Sequence, residues 1–344
     1  MENKIQRELN SINKINMSFL QEAYDVGLNL KVGKTAFIQK SKYFSEVEYK
    51  NEQRQKGNYT YHCHLCCSSK EDLEIKLIKL EYELQKEGMT LDRFGVGLDY
   101  AMALPEEIRN FNKKGDGIFL ETQKDWDNLA KCVAIQPHLG DQMIGSPASY
   151  SNVKHALQAG ITTIGNISQY FGWDYPEFTD VENRTKSTIQ AIALMSANVE
   201  NGTLIHSNLD DGYGKVAGDL GLLIGCALLE KYIVEDLMHA RIAHSFGDMF
   251  YSPLKRLVFL CALKKINKNM LGSMIFTNKL ERNQNKPEYN TAHLVECILC
   301  DMVGQKIYKT GHAITVMSNR GLIQNVEMQE IVKAIGYANE IINY

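Results

Sequence analysis

The chain lacks most of the features that mark specialised protein classes. Its 344 residues include only six prolines and two tryptophans, and neither sign of charge dominates, with 38 Lys and Arg against 41 Asp and Glu. A net charge of -3 leaves no electrostatic footprint for nucleic acid or an anionic membrane, so neither is expected as a partner. Long hydrophobic runs are missing too. The longest, 220–229, is interrupted by glycines and is about half of the ~20 residues a spanning helix needs. The opening MENKIQRELNSINKIN is charged throughout and has no apolar stretch, so no secretory signal is expected. Without that context the eight cysteines read as reduced thiols, and a cytoplasmic protein is expected. What remains is ordinary: 44% hydrophobic and 23% charged residues, enough for a large α/β core.

Residues 1–56 are polar and weakly periodic, and read as an N-terminal helical extension outside the main core. From Tyr59 a pattern repeats, in which a short apolar or β-branched run is followed by helical spacing. The runs are YTYHCHLC (59–66), RFGVGLDY (93–100), GIFLET (117–122), VAIQPHLG (133–140), TTIGNIS (162–168), TLIHSNLDD (203–211), HARIAHSF (239–246) and GSMIFTNK (272–279). Ser69 is placed to cap the helix after the first run, and Gly160 to close the helix before the fifth. Eight such units in ~250 residues predict an α/β protein of the (β/α)8 TIM-barrel class. The barrel spans 57–310, and 311–344 forms a short C-terminal extension. A doubly wound sheet would carry a glycine-rich loop after its first strand, where HCHLCC stands instead.

Barrels place their chemistry at the C-terminal ends of the strands. Those positions hold His62, His64, Cys66, Asp99, His138, Asn166, Tyr170, His206, Asp210, Asp211, His244, Asp248, Asn278, Lys279 and Glu281. Histidine titrates near neutral pH, so its concentration on one rim points to acid, base or ligand work. HCHLCC has the composition of a metal site, but its residues alternate across a strand and face opposite sides.

Several stretches fit one known pattern. They are IQPHLG (135–140), GSPASYSNVKHALQAGITTIGNISQYFGWDYPEFTDVENRTKSTIQA (145–191), GTLIHSNLDDGYGKVAGDLGLLIGCALLEK (202–231) and FGVGLDYAMALPEEI (94–108). On these residues, over some two-thirds of its length, the chain resembles the large barrel-forming subunit of the adenosylcobalamin-dependent glutamate mutase (methylaspartate mutase) family. The resemblance implies an isomerase working by radical rearrangement of a carbon skeleton, with adenosylcobalamin held jointly with a separate small cobalamin-binding subunit. It also implies a homodimer of this chain. The family grips both carboxylates of glutamate with arginines. Here the matching positions read Asp99-Tyr100-Ala101-Met102-Ala103 and Gln136-Pro137-His138-Leu139-Gly140. Met, Ala or neutral His does not replace a bidentate guanidinium, so the substrate is expected to be a small amino acid or related acid other than glutamate.

Under that resemblance His138, Asn166 and Tyr170 hold substrate, with Asp99, His206 and Asp210 as further polar anchors. Glu281 matches the family's ribose-binding glutamate, Thr277 stands in the lysine's place, and Lys279 substitutes after a local shift. Cys66 and Asn278 complete the cofactor-binding candidates. No resident metal is assigned. Two other readings keep the barrel. One is a cobalamin-independent lyase or isomerase using His138, His206, His244, Asp211 and Asp248, with or without a divalent metal. The other is a non-catalytic barrel subunit.

Overall fold

The computed structural model describes residues 18–214, 219–247, 252–268, 271–277, 287–316 and 328–342. Strands and helices alternate along nearly the whole chain. Before the first strand come α1 (Ser18–Asn29), the short helix Ala36–Lys40 and α2 (Glu46–Lys56). Then follow β1 (Tyr61–Leu65), α3 (Lys70–Lys86), β2 (Arg93–Val96), α4 (Gln123–Lys131), β3 (Gln136–His138), α5 (Ser149–Ala159), β4 (Thr163–Ile164) and α6 (Val181–Ala197). The second half continues with β5 (Leu204–Asn208), α7 (Leu220–Lys231), β6 (Ile242–Ser245), α8 (Pro253–Ile266), β7 (Met274–Ile275), α9 (Pro287–Tyr308), β8 (Ala313–Thr315) and α10 (Met328–Ile342). No described helix is long and apolar enough to cross a membrane.

All strand pairs are parallel, in two sheets ordered β3-β2-β1-β8-β7 and β4-β5-β6. Single parallel bridges, Leu139 to Ile164 and Phe246 to Ile275, link the edge strands of one sheet to those of the other. Parallel pairing requires a crossover between successive strands, and the intervening helices supply it. Their apolar stripes cover one sheet face. Leu73, Leu77, Leu80 and Leu84 of α3 recur at helical spacing and are buried with Cys63, Leu65, Phe94 and Val96 in the main core. α10 packs beside α3, and its Ile331, Ile335 and Ala338 belong to the same core.

The expected caps are present. The Ser69 hydroxyl accepts from the backbone N–H of Asp72 at 3.1 Å, and Gly160 ends α5 in the left-handed region at φ 98°. Three expectations need correction. GIFLET (117–122) is not a strand of the sheet. β2 pairs directly with β3 (Arg93 beside Gln136, Gly95 beside His138), which leaves no free edge between them. Ile118 instead forms one bridge to Leu98, past the end of β2, and joins the core there. Conversely, 311–344 is not a mere extension: it holds β8, paired with β1 and β7, and α10. A short apolar run looks alike whether it pairs in a sheet or packs at its end, which is why periodicity assigned these two the wrong way round.

The third correction concerns the N-terminal helices, which do not lie outside the core. α1 packs on α6, while α2 covers the N-terminal ends of the strands on the sheet face away from the helix layer. Its Glu46 and Lys50 are each 1% exposed. The Glu46 carboxylate lies 2.7 Å from Arg93 Nε and accepts from the Thr163 hydroxyl at 2.6 Å. Lys50 Nζ donates to the carbonyls of Gly272 (2.5 Å) and Ser273 (3.0 Å). A largely polar helix thus closes this end with a buried ion pair and a carbonyl-bound ammonium, beside one apolar contact of Val47 with Leu204, Ala243 and Leu271.

Candidate functional site

The strand face away from the helices is lined with imidazoles. His62 and His64 share it on β1, His138 on β3 and His206 on β5; the intervening Cys63 and Leu65 turn into the apolar layer. The rings meet in sequence. His138 and His206 are edge to face at 4.5 Å between centroids, His62 and His138 lie 6.1 Å apart, and His62 and His64 6.5 Å. Glycines on the neighbouring strands make the room. A Cβ on Gly95 of β2 would come within 2.9 Å of His62 Nε2 and 2.8 Å of His64 Nδ1, and one on Gly165 within 2.4 Å of His206 Cδ2.

Three of the four rings have one anchored nitrogen. His138 Nδ1 is 2.9 Å from Arg93 Nη2, His206 Nδ1 2.8 Å from the Ser273 hydroxyl, and His62 Nδ1 3.3 Å from the Thr315 hydroxyl. Nε2 of His62 and of His138 is buried without a hydrogen-bond partner. Arg93 has a polar neighbour at each nitrogen: the Glu46 carboxylate in an ion pair 2.7 Å from Nε, the Ser273 carbonyl 3.1 Å from Nη1, and His138 at Nη2. Burial first, then the neighbouring Arg93 and imidazoles, hold His62, His138 and His206 well below the ordinary histidine value of 6.5. Desolvation also lowers His64, to about 4. All four are neutral at pH 7.

His138 and His206 are therefore the pair of expected residues that the fold brings together, with His62 as a third member. The others are dispersed. Asp99 is buried and accepts from the backbone N–H groups of Ala101 (2.9 Å), Lys114 (3.1 Å) and Gly115 (2.6 Å), so it organises the loop after β2. Asn166 accepts from the Asn208 N–H (2.7 Å) and the Ser168 hydroxyl (2.6 Å), tying the loop after β4 to β5. Tyr170 turns toward α6, its hydroxyl 2.7 Å from that of Thr185 and its ring under the Arg184 guanidinium.

Asp210 accepts from the Gly247 N–H at 3.0 Å, and Asp211 is half-buried in the same helical turn, Leu209–Tyr213. His244 leaves the group: its Nε2 lies 3.3 Å from Glu230 of α7, whose other oxygen accepts from the Tyr213 hydroxyl. A three-histidine cluster of His138, His206 and His244 is therefore not assembled. Among the described residues no set of three or more His, Cys, Asp or Glu side chains is arranged to hold a metal ion. Cys66 is an exposed thiol just past the C-terminal end of β1. Asp248, Asn278, Lys279 and Glu281 lie outside the described residues.

Arg93, Glu46 and Ser273 were not expected from the sequence. The legible signal was the complementarity of His-x-His (62–64), Gly-x-Gly (95–97), His-x-Gly (138–140) and Gly165 on successive strands, large beside small. No protein-family model matches the chain, and no curated protein is significantly similar to it.

Proposed function

We propose that the eight parallel strands close into a (β/α)8 barrel, and that the chain is the barrel subunit of an adenosylcobalamin-dependent carbon-skeleton mutase. Its substrate would be a small amino acid or related acid other than glutamate. The parallel order within each sheet, the bridges linking their edges and the helix in every crossover support the barrel. The imidazole-lined face is then its interior, and α2 is its floor.

One observation carries the functional reading: the imidazoles of His62, His138 and His206 are buried, which disfavours their charged form. A lyase or isomerase working by proton transfer needs groups that titrate near the operating pH, and His62, His138 and His206 are held well below it. Asp99 and Asp210 spend carboxylate oxygens on backbone N–H groups. A radical rearrangement asks less of the protein, namely a dry enclosure and a few polar handles, while the cofactor supplies the adenosyl radical that abstracts hydrogen. Here His138 and His206 would orient the substrate's polar groups, and Cys66, exposed past the end of β1, would be a contact for the cofactor.

The engaged arginines support the exclusion of glutamate. Arg93 is spent as described. Arg109 donates to the Leu104 and Met102 carbonyls and to Asn152, Arg184 to the carbonyls of Gly145, Gln169 and Tyr170, and Arg256 to Asp301 and the Phe276 carbonyl. None of these four presents a free fork to a carboxylate.

Titration of the chain with adenosylcobalamin, alone and with a small cobalamin-binding protein, tests the reading. Saturable change in the cobalamin absorbance that requires both proteins is the expected result. Absence of binding in any combination would rule the mutase out. Apolar side chains left exposed on neighbouring helices, Leu254 and Val258 on α8 and Leu299, Val303 and Ile307 on α9, support a homodimer. Light scattering is expected to give twice 39.0 kDa for the native chain and 39.0 kDa for a Val258→Asp, Val303→Asp variant. A monomeric native chain at micromolar concentration contradicts the assembly.

A further inference from the structure

We infer that Arg93, backed by Glu46, holds His138 as a neutral imidazole protonated on Nε2, so that His138 acts as a hydrogen-bond donor to a substrate carbonyl or carboxylate oxygen and not as a base. A guanidinium has five N–H donors and no acceptor. Arg93 Nη2 sits 2.9 Å from His138 Nδ1, so Nδ1 must offer its lone pair, and the single proton of the neutral ring belongs on Nε2. Glu46 neutralises the guanidinium from 2.7 Å off Nε, and the Ser273 carbonyl accepts from Nη1 and so helps to fix the direction of the fork. The Nε2 so protonated is buried and has no partner within the protein. It is directed toward Gly140, where the missing side chain leaves it 3.4 Å from the Cβ position, with His206 Nε2 at 3.8 Å from the same point.

The charged and titratable groups around His138 reinforce this state. Arg93 faces it directly, His62, His64 and His206 surround it, and Lys50 and Glu46 stand behind Arg93. Adding a proton to Nδ1 would remove the acceptor and set imidazolium against guanidinium. A donor backed by a cation suits an oxygen that carries negative charge or gains it. Arg93 is on this view a positioning residue and His138 the group that meets the ligand.

The inference relies on the barrel reading only for which face meets substrate, and its test is separate from cobalamin binding. Long-range 1H–15N correlation spectra of the full-length chain labelled with [15N]histidine report each ring's tautomer, and His138→Gln identifies the signal. His138 is expected as the Nε2–H tautomer with no titration from pH 8 to 6. Acetate, as the probe, is expected to shift that ring's Nε2 proton saturably. Arg93→Gln is expected to bring the Nδ1–H form into exchange and move the ring's titration up toward the ordinary histidine range. An Nδ1–H tautomer or an imidazolium in the native chain at pH 7 overturns the lock, a result that needs no variant to fold. Indifference of the His138 signal to acetate overturns the oxygen-acceptor role. Loss of cobalamin binding with the tautomer intact would discard the mutase and leave the lock standing.

Discussion

Lowering the pH from 7.5 to 5.5 is expected to cost the native state about 5 kcal/mol, with the loss beginning near pH 6.5. His62, His138, His206 and His312 are each 0–2% exposed and held well below 6.5, chiefly by desolvation. The sign follows from proton counting. Above about pH 6.5 folded and unfolded chains both carry neutral rings and the term vanishes. Below it the unfolded chain takes up protons that the native rings refuse, so unfolding gains about 1.4 kcal/mol per histidine per pH unit. The window runs from about 6.5 down to the depressed native values. Asp92 and Asp301 act in the opposite sense, because burial raises their carboxyls and lets the native state accept a proton more readily than the unfolded chain does. Urea unfolding at pH 7.5, 6.5 and 5.5 measures the difference. A flat profile would mean that the interior is hydrated and its rings titrate freely.

The second large effect belongs to the floor. Glu46→Ala is expected to destabilise the protein by about 3–5 kcal/mol, because Arg93 would remain buried without its counter-charge. The penalty comes from the orphaned charge and not from lost attraction, so a Glu46→Leu, Arg93→Met double variant is expected to recover most of it. Denaturant midpoints for the two variants at pH 7.5 decide this. A loss under about 1 kcal/mol in Glu46→Ala would mean that water reaches the pair.

Local chemistry was the readable part of this sequence. Ser69 and Gly160 announced their helix ends, and the alternation of apolar run and helical spacing announced an α/β protein, because capping and periodicity act within a few residues. Placing GIFLET in the sheet and leaving out Ala313–Thr315 went wrong for the opposite reason. Whether a run pairs depends on which strand edges are free, and that is settled by residues far away in the chain. The histidines were legible as a group, yet only His138 and His206 of the expected site face each other with a third ring. Asp99, Asn166 and Tyr170 have residue types suited to binding but geometry suited to holding loops and helices. Glu46 and Lys50 were invisible because a polar, weakly periodic helix gives no hint that it will be buried; its charges only make sense beside Arg93 and the Gly272 and Ser273 carbonyls.

That floor also fixes an order of events. Glu46 finds its partners at residues 93 and 163, and Lys50 finds its acceptors at residues 272 and 273, more than two hundred positions downstream. An ammonium and a carboxylate leave water at a heavy cost until those partners exist. α2 precedes every strand in the chain, but it must stay solvated until β7 has been laid down. A segment made before all the strands is thus among the last to be buried, and its docking registers that the strands between have already found their neighbours.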